Sequence, residues 1–245
     1  MTAAAVLVVC WSSGFVGAEL ATRDAPVETV LAWRTGLAAA LLGGWALLRG
    51  ERVRRSSLVR QAVLGFLVQA VYLGGVFAAA GAGISAGTSA LVAALQPLLV
   101  AALAGLAAGT LLERRWAPSE SLVVSLALQS AVAALVFGVV AGTRGQLVPP
   151  AGAEFWTALA WLVLLSTVGG YGSYLFVVRR SGATTASTLL YLTPPATALW
   201  AWAMFGQAPG PTALPGVLVC AVGVGLALRR RGRADAPEAD HAVRA

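Results

Sequence analysis

Arg34 lies inside an otherwise apolar run, residues 26–48. Its position about eight residues in puts it about 12 Å deep at 1.5 Å per helical residue. An arginine at the centre of a membrane helix costs about 2.5–3.5 kcal/mol on insertion scales, so it is expected to face a cavity or an ionic partner. A guanidinium facing a cavity binds an anionic group. The nearest acid in the sequence is Glu19, close to the end of the preceding run, 3–21. A short connector makes the two runs antiparallel neighbours, so Glu19 is the expected partner. Two outcomes follow: a structural ion pair, or a substrate-binding arginine beside a proton-carrying acid.

Other polar side chains fall in the middle of apolar runs. Gln69, Gln96, Gln129 and Thr193 can hydrogen-bond a substrate or a neighbouring helix, and interhelical bonds of this kind average about 0.6 kcal/mol. Gln96 and Thr193 precede Pro97 and Pro194, with Pro195 next. A proline within a helix frees a carbonyl one turn earlier, and such helix kinks leave backbone groups available for binding. Tyr72, Tyr171, Tyr174 and Tyr191 suit either a polar cavity or an interface. Trp11 and Phe15 share a helix face four residues apart and can form an apolar wall, though ordinary packing serves as well.

Several chemistries are excluded. The one histidine, His241, lies in a short polar tail, so no His-based metal centre or proton relay is expected in the apolar runs. No run carries the acid, base and nucleophile cluster that a membrane-embedded enzyme needs, so no catalytic residue, metal or cofactor is assigned. G-Y-G-S-Y at Gly170–Tyr174 lacks the strand that a phosphate-binding loop requires. Cys10 and Cys220 sit in separate runs and read as small buried side chains.

The elements that hold these residues follow from composition. Charged residues make up 11% of the 245 and apolar residues 58%, against about 25% charged in soluble domains. Eight runs are long enough to span a bilayer: 3–21, 26–48, 61–81, 86–112, 121–141, 154–178, 184–205 and 212–229. Backbone groups in lipid must pair within the segment, so each is expected to be a helix; the alternating short segments of a β-barrel are missing. The fold class is an all-α integral membrane bundle of about eight helices. The net charge of +7 does not point to nucleic acid. Every basic residue is arginine, and 14 of the 17 fall on one side of an eight-span topology, in 49–60, 114–115, 179–180 and the tail. The positive-inside rule makes that side cytoplasmic, with both termini there, and labelling of position 118 from the opposite side would contradict the arrangement. The first run lacks the basic start and cleavage site of a signal peptide.

A weak internal repeat relates Ser89–Pro97 to Ala186–Pro194, in runs of opposite direction, as an inverted-topology repeat requires. Four motifs then resemble the EamA family of the drug/metabolite transporter superfamily: W-S-S-G-F-V at Trp11–Val16, L-A-W-R-T-G at Leu31–Gly36, the stretch Ile84–Pro97, and Ser181–Pro195. That family has ten helices in two inverted halves of five. Here Ile84 to about Leu103 is similar to its fourth helix, while Leu106–Trp116 is similar to the end of its sixth. The resemblance therefore implies loss of the fifth helix and most of the sixth, with a join near Ala102–Gly105. Because the fourth and sixth helices run the same way, the join preserves all downstream orientation. The implied halves are 1–103 and 104–230, followed by a cytoplasmic tail, 231–245. The family's frequent L-G-E reads F-G-Q here, with Gln207 in place of the acid. The resemblance implies a bacterial inner-membrane secondary transporter, an exporter of small metabolites or drugs by alternating access, with lipid, a small-molecule substrate and a possible homodimer as partners. The alternative is an accessory membrane protein that has lost transport.

Overall fold

The computed structural model describes residues 2–94 and 121–208, with Gly216, Leu218 and Cys220 beyond them. Gln96, Pro97, the join at Ala102–Gly105, most of the run 86–112, most of 212–229 and the polar tail lie outside the described residues.

Every regular element among the described residues is helical. α1 spans Thr2–Asp24 and α2 spans Val27–Leu48. A third span, Arg55–Gly81, starts with a 3-10 turn and continues through α3 (Leu58–Leu64), a π-helical segment (Gly65–Tyr72) and α4 (Leu73–Gly81). α5 covers Ala86–Ala93, capped by the Ser85 hydroxyl, which accepts from the Thr88 amide. α6 spans Leu122–Thr143, with Ser121 capping Val124 in the same way. The next span, Ala153–Ser181, also contains a π segment: α7 (Ala153–Ala160), Trp161–Gly169, then α8 (Gly170–Ser181). Gly182, at φ 84°, turns the chain into α9 (Ala183–Leu190), which is followed by α10 (Thr193–Phe205).

Five of these helices are long and apolar enough to cross a membrane: Thr2–Asp24, Val27–Leu48, Arg55–Gly81, Leu122–Thr143 and Ala153–Ser181. The run 184–205 differs from the continuous kinked helix expected. It breaks at Tyr191–Leu192, and Pro194 and Pro195 occupy the first turn of α10. Proline is tolerated there because first-turn amides have no helical acceptor, so these prolines start a new helix instead of bending an old one.

The burial pattern is that of a bundle in lipid. Leu41, Leu48, Val59, Val71, Leu135 and Leu199 are exposed, Leu48 by 88% and Leu135 by 69%. The interior takes Ser12, Ser13, Thr35, Gln61, Gln69 and Ser130. Such large apolar exposure is unfavourable in water but matches a hydrocarbon solvent.

Side-chain contacts fix which helix ends lie together. Arg144 pairs with Glu28 at 2.6 Å, the Thr29 hydroxyl donates to the Gln146 carbonyl at 2.6 Å, and the Trp33 indole donates to that of Leu147 at 3.0 Å. At the opposite end, the Ser121 hydroxyl bonds the Glu51 carboxylate. α5 therefore starts at the end that holds Glu28 and Arg144, and α6 starts at the end that holds Glu51.

One expected neighbour relation fails. α1 and α2 touch only slightly, although the connector between them is short. α2 lies instead along α6. Small buried residues explain this choice: Ala32, Thr35 and Ala38 on α2, and Ala127, Ser130 and Ala133 on α6 allow close backbone approach. α1 packs instead across the span Ala153–Ser181 and against α10. Gly17 makes this possible, since a Cβ there would come within 2.8 Å of both the Leu162 and Trp161 side chains.

Candidate functional site

Arg34 projects from α2 into the centre of the bundle and is only 8% exposed. Its guanidinium carbon lies 5.2 Å from the centroid of the Phe77 ring, a cation–π distance. Its Nη1 is buried and has no hydrogen-bond partner among the described residues. The expected ion pair with Glu19 is not formed. Glu19 faces the other way around α1. Its carboxylate accepts from Arg23 Nη2 at 3.0 Å, Gln207 Nε2 at 2.6 Å and the Ala86 amide at 3.3 Å. It therefore ties α1 to the start of α5 and to the residues after α10, leaving Arg34 without a carboxylate. Gln207, which replaces the acid common in the resemblance, is its closest partner.

Two small cavities flank Arg34, and both are bounded by Arg34, Tyr72, Leu73 and Tyr171. The larger, about 90 Å³, extends toward the Glu28 end and adds Trp11, Phe15, Val76, Phe77 and Ser166. The smaller, about 60 Å³, extends toward the arginine-rich end and adds Thr35, Gln69, Ser130 and Thr167. The guanidinium thus separates an aromatic chamber from a hydroxyl- and amide-rich one. Tyr171 borders both cavities beside Arg34, and its ring meets Trp11 edge-on at 5.2 Å.

Both π segments border this site. The first ends at Tyr72 and contains Gln69; the second contains Ser166 and Thr167 and ends two residues before Tyr171. In the second, the Thr167 hydroxyl donates to the Leu162 carbonyl five residues back, at 3.1 Å, satisfying backbone that the wide turn disturbs. π turns inside α-helices are frequent at functional sites.

The remaining sequence candidates fall elsewhere. Gln129 does not face the cavities: its amide donates to Gln61 Oε1 at 2.9 Å, and Gln61 donates to the Ser125 hydroxyl at 2.9 Å, forming a polar ladder between α3 and α6. Tyr174 packs on Trp11, with ring centroids 5.8 Å apart, in an apolar cluster with Leu7, Val177 and Leu189. Tyr191 caps α9 outside both cavities. Thr193 is buried with an unpartnered hydroxyl at the helix break. Thr35, Ser130, Ser166 and Thr167 line the cavities but had no distinguishing sequence signal beyond the adjacent Ser–Thr pair at 166–167.

Apolar clusters close the bundle on both sides of Arg34. Toward the Glu28 end these are Leu31, Phe77, Leu159 and Leu162 with their neighbours; toward the other end, Leu7, Val8, Val177 and Leu189. Outside the first cluster, Arg23, Asp24 and Glu154 rim an open vestibule of about 440 Å³. Among the described residues no group of His, Cys, Asp and Glu could hold a metal ion.

Helices with apolar outer faces, polar interiors and a buried arginine between two small chambers define a multi-pass membrane protein of the transporter class. The chain belongs to the EamA-like transporter family, whose model matches residues 1–117 and again 106–229. No curated protein and no solved structure matches it. The family is a transporter family, not one of enzymes.

Proposed function

We propose that this protein is a secondary transporter that exports a small metabolite or drug across the bacterial inner membrane by alternating access. Both termini are cytoplasmic in this reading, because most of the arginines lie on that side. The carrying observation is Arg34: a nearly buried cation with an unpartnered Nη1, at a junction of cavities lined from α1, α2, α6 and the two π-containing spans. A buried charge is costly unless compensated, so a substrate group is the natural compensation. Apolar clusters lie on either side of the site, where the gates of an alternating-access transporter would stand, and the vestibule lies outside one of them. The occurrence of π segments in the two long spans that face each other across the site supports an inverted repeat.

Flux of a solute panel into or out of proteoliposomes, with and without an imposed proton gradient, tests this reading. The wild type is expected to move at least one solute in a gradient-dependent way, and Arg34→Ala to lose that flux while inserting and unfolding normally. Unchanged flux in a stably inserted Arg34→Ala protein would remove Arg34 from the mechanism.

A further inference from the structure

We propose that the substrate is an organic monocarboxylate with a body about the size of one aromatic ring and no ammonium group. Its carboxylate sits on Arg34 and its body in the chamber formed by Trp11, Phe15 and Phe77. This rests on the transporter reading above and deepens it. Three features of the site fix the chemistry.

The first is charge. Among the described residues Arg34 is the one charged side chain lining either cavity, and its Nη1 has no partner there. The described ion pairs, Arg23–Glu19 and Arg144–Glu28, lie outside both cavities. One guanidinium neutralises one negative charge. A phosphate dianion would bring a second charge with no cation to meet it. An ammonium, alone or in a zwitterion, would find no carboxylate in either cavity and would lie within a few ångströms of a like charge, which disfavours it strongly in a low-dielectric site.

The second is hydrogen bonding. A carboxylate has two oxygens, and a guanidinium with a free Nη1 satisfies one or both. Tyr72, Tyr171 and Ser166 line the same chamber and carry hydroxyls that can donate further bonds.

The third is size. The two chambers measure about 90 and 60 Å³ and share their boundary at Arg34. An apolar protein cavity of about 150 Å³ takes up benzene, whereas drug-sized sites run to about 300–1,000 Å³. The aromatic chamber, at about 90 Å³, therefore admits a body no larger than one ring, with the carboxylate at the boundary that both chambers share. Its apolar wall lies on the Trp11 side, with Leu73 and Val76 completing it.

Ligand binding to the purified full chain in lipid nanodiscs, followed by quenching of tryptophan fluorescence and by calorimetry, tests the assignment with phenylacetate, acetate, phenylalanine, phenethylamine and phenyl phosphate at neutral pH. Phenylacetate is expected to bind saturably, and each of the others at least about 10-fold more weakly. Arg34→Gln is expected to weaken phenylacetate about 10- to 100-fold, the range of a charge-assisted bond, with Arg34→Lys intermediate. Phenylalanine or phenethylamine binding as tightly as phenylacetate overturns the assignment, as does phenylacetate binding that is indifferent to Arg34→Gln in a variant that unfolds normally. If Arg34→Gln does not fold, the wild-type ligand series decides. Flux of labelled phenylacetate is measured separately. Binding without flux upholds this site and rejects transport. Flux of another solute without phenylacetate binding upholds transport and rejects this site.

Discussion

Gly65 is the point where the third span presses hardest on α6. A Cβ added there would lie 2.8 Å from the Cα of Gln129, 2.9 Å from its carbonyl oxygen and 3.1 Å from Val132 Cβ. Non-bonded carbons are comfortable at about 3.5–4.0 Å, so Gly65→Ala must part the two helices by about 0.7 Å locally. The obstacles are mostly backbone, which cannot swing aside as a side-chain tip can. Overpacking of this kind costs about 1–3 kcal/mol, and the rigid obstacle places Gly65→Ala in the upper half of that range. The same displacement stretches the Gln129–Gln61 bond, now 2.9 Å. Gly36→Ala in α2 and Gly138→Ala in α6 are the controls, because nothing lies within 4 Å of a Cβ at either position. Those two should be neutral or gain up to about 1 kcal/mol from the higher helix propensity of alanine. Thermal unfolding of the three purified variants in one detergent provides the comparison. If Gly65→Ala unfolds at or above the temperature of Gly36→Ala, the close approach of the third span to α6 is wrong.

Two further substitutions probe the polar contacts inside the bundle. In a double-mutant cycle with Gln61→Leu and Gln129→Leu, the coupling energy should be about 0.6 kcal/mol and no more than about 1.7 kcal/mol; zero coupling would mean that the amides do not meet. Glu19→Leu strands the Gln207 amide and the Ala86 amide, at about 1–3 kcal/mol for each buried group left unpaired, while Glu19→Gln retains an acceptor and should lose much less. Hydrogen exchange at Ala86 reports the difference directly, and equal protection in Glu19→Leu and wild type would rule out the contact.

The bilayer made part of this fold legible. Lipid demands long apolar helices with internally paired backbones, so run length and apolar composition mark the five helices long enough to cross a membrane. Neither signal specifies which way a side chain points around its helix. Glu19 and Arg34 are close in sequence and at similar depth, yet Glu19 turns to Ala86 and Gln207 while Arg34 turns to Phe77 and Tyr171. The choice depends on the packing of α2 along α6, a relation between segments about a hundred residues apart. For Gln129 the residue type leaves substrate and neighbouring helix both open, and the position of Gln61 decides for the helix. Thr35 and Thr167 carry no signal in the sequence, because hydroxyls in membrane helices commonly bond their own backbone. These two do so, to the Leu31 and Leu162 carbonyls, and still line the cavity.

The π segments alter the helical register that a reading by periodicity assumes. A π turn carries one residue more than an α turn, which rotates every later side chain by about 100° relative to an unbroken α-helix. Both wide turns fall beside Arg34: Gln69 and Tyr72 lie in the first, Ser166 and Thr167 in the second, and Tyr171 follows two residues after it. Wide turns disturb the regular backbone ladder in a medium that supplies no substitute, and here both border the buried guanidinium, a placement that π turns often have at functional sites.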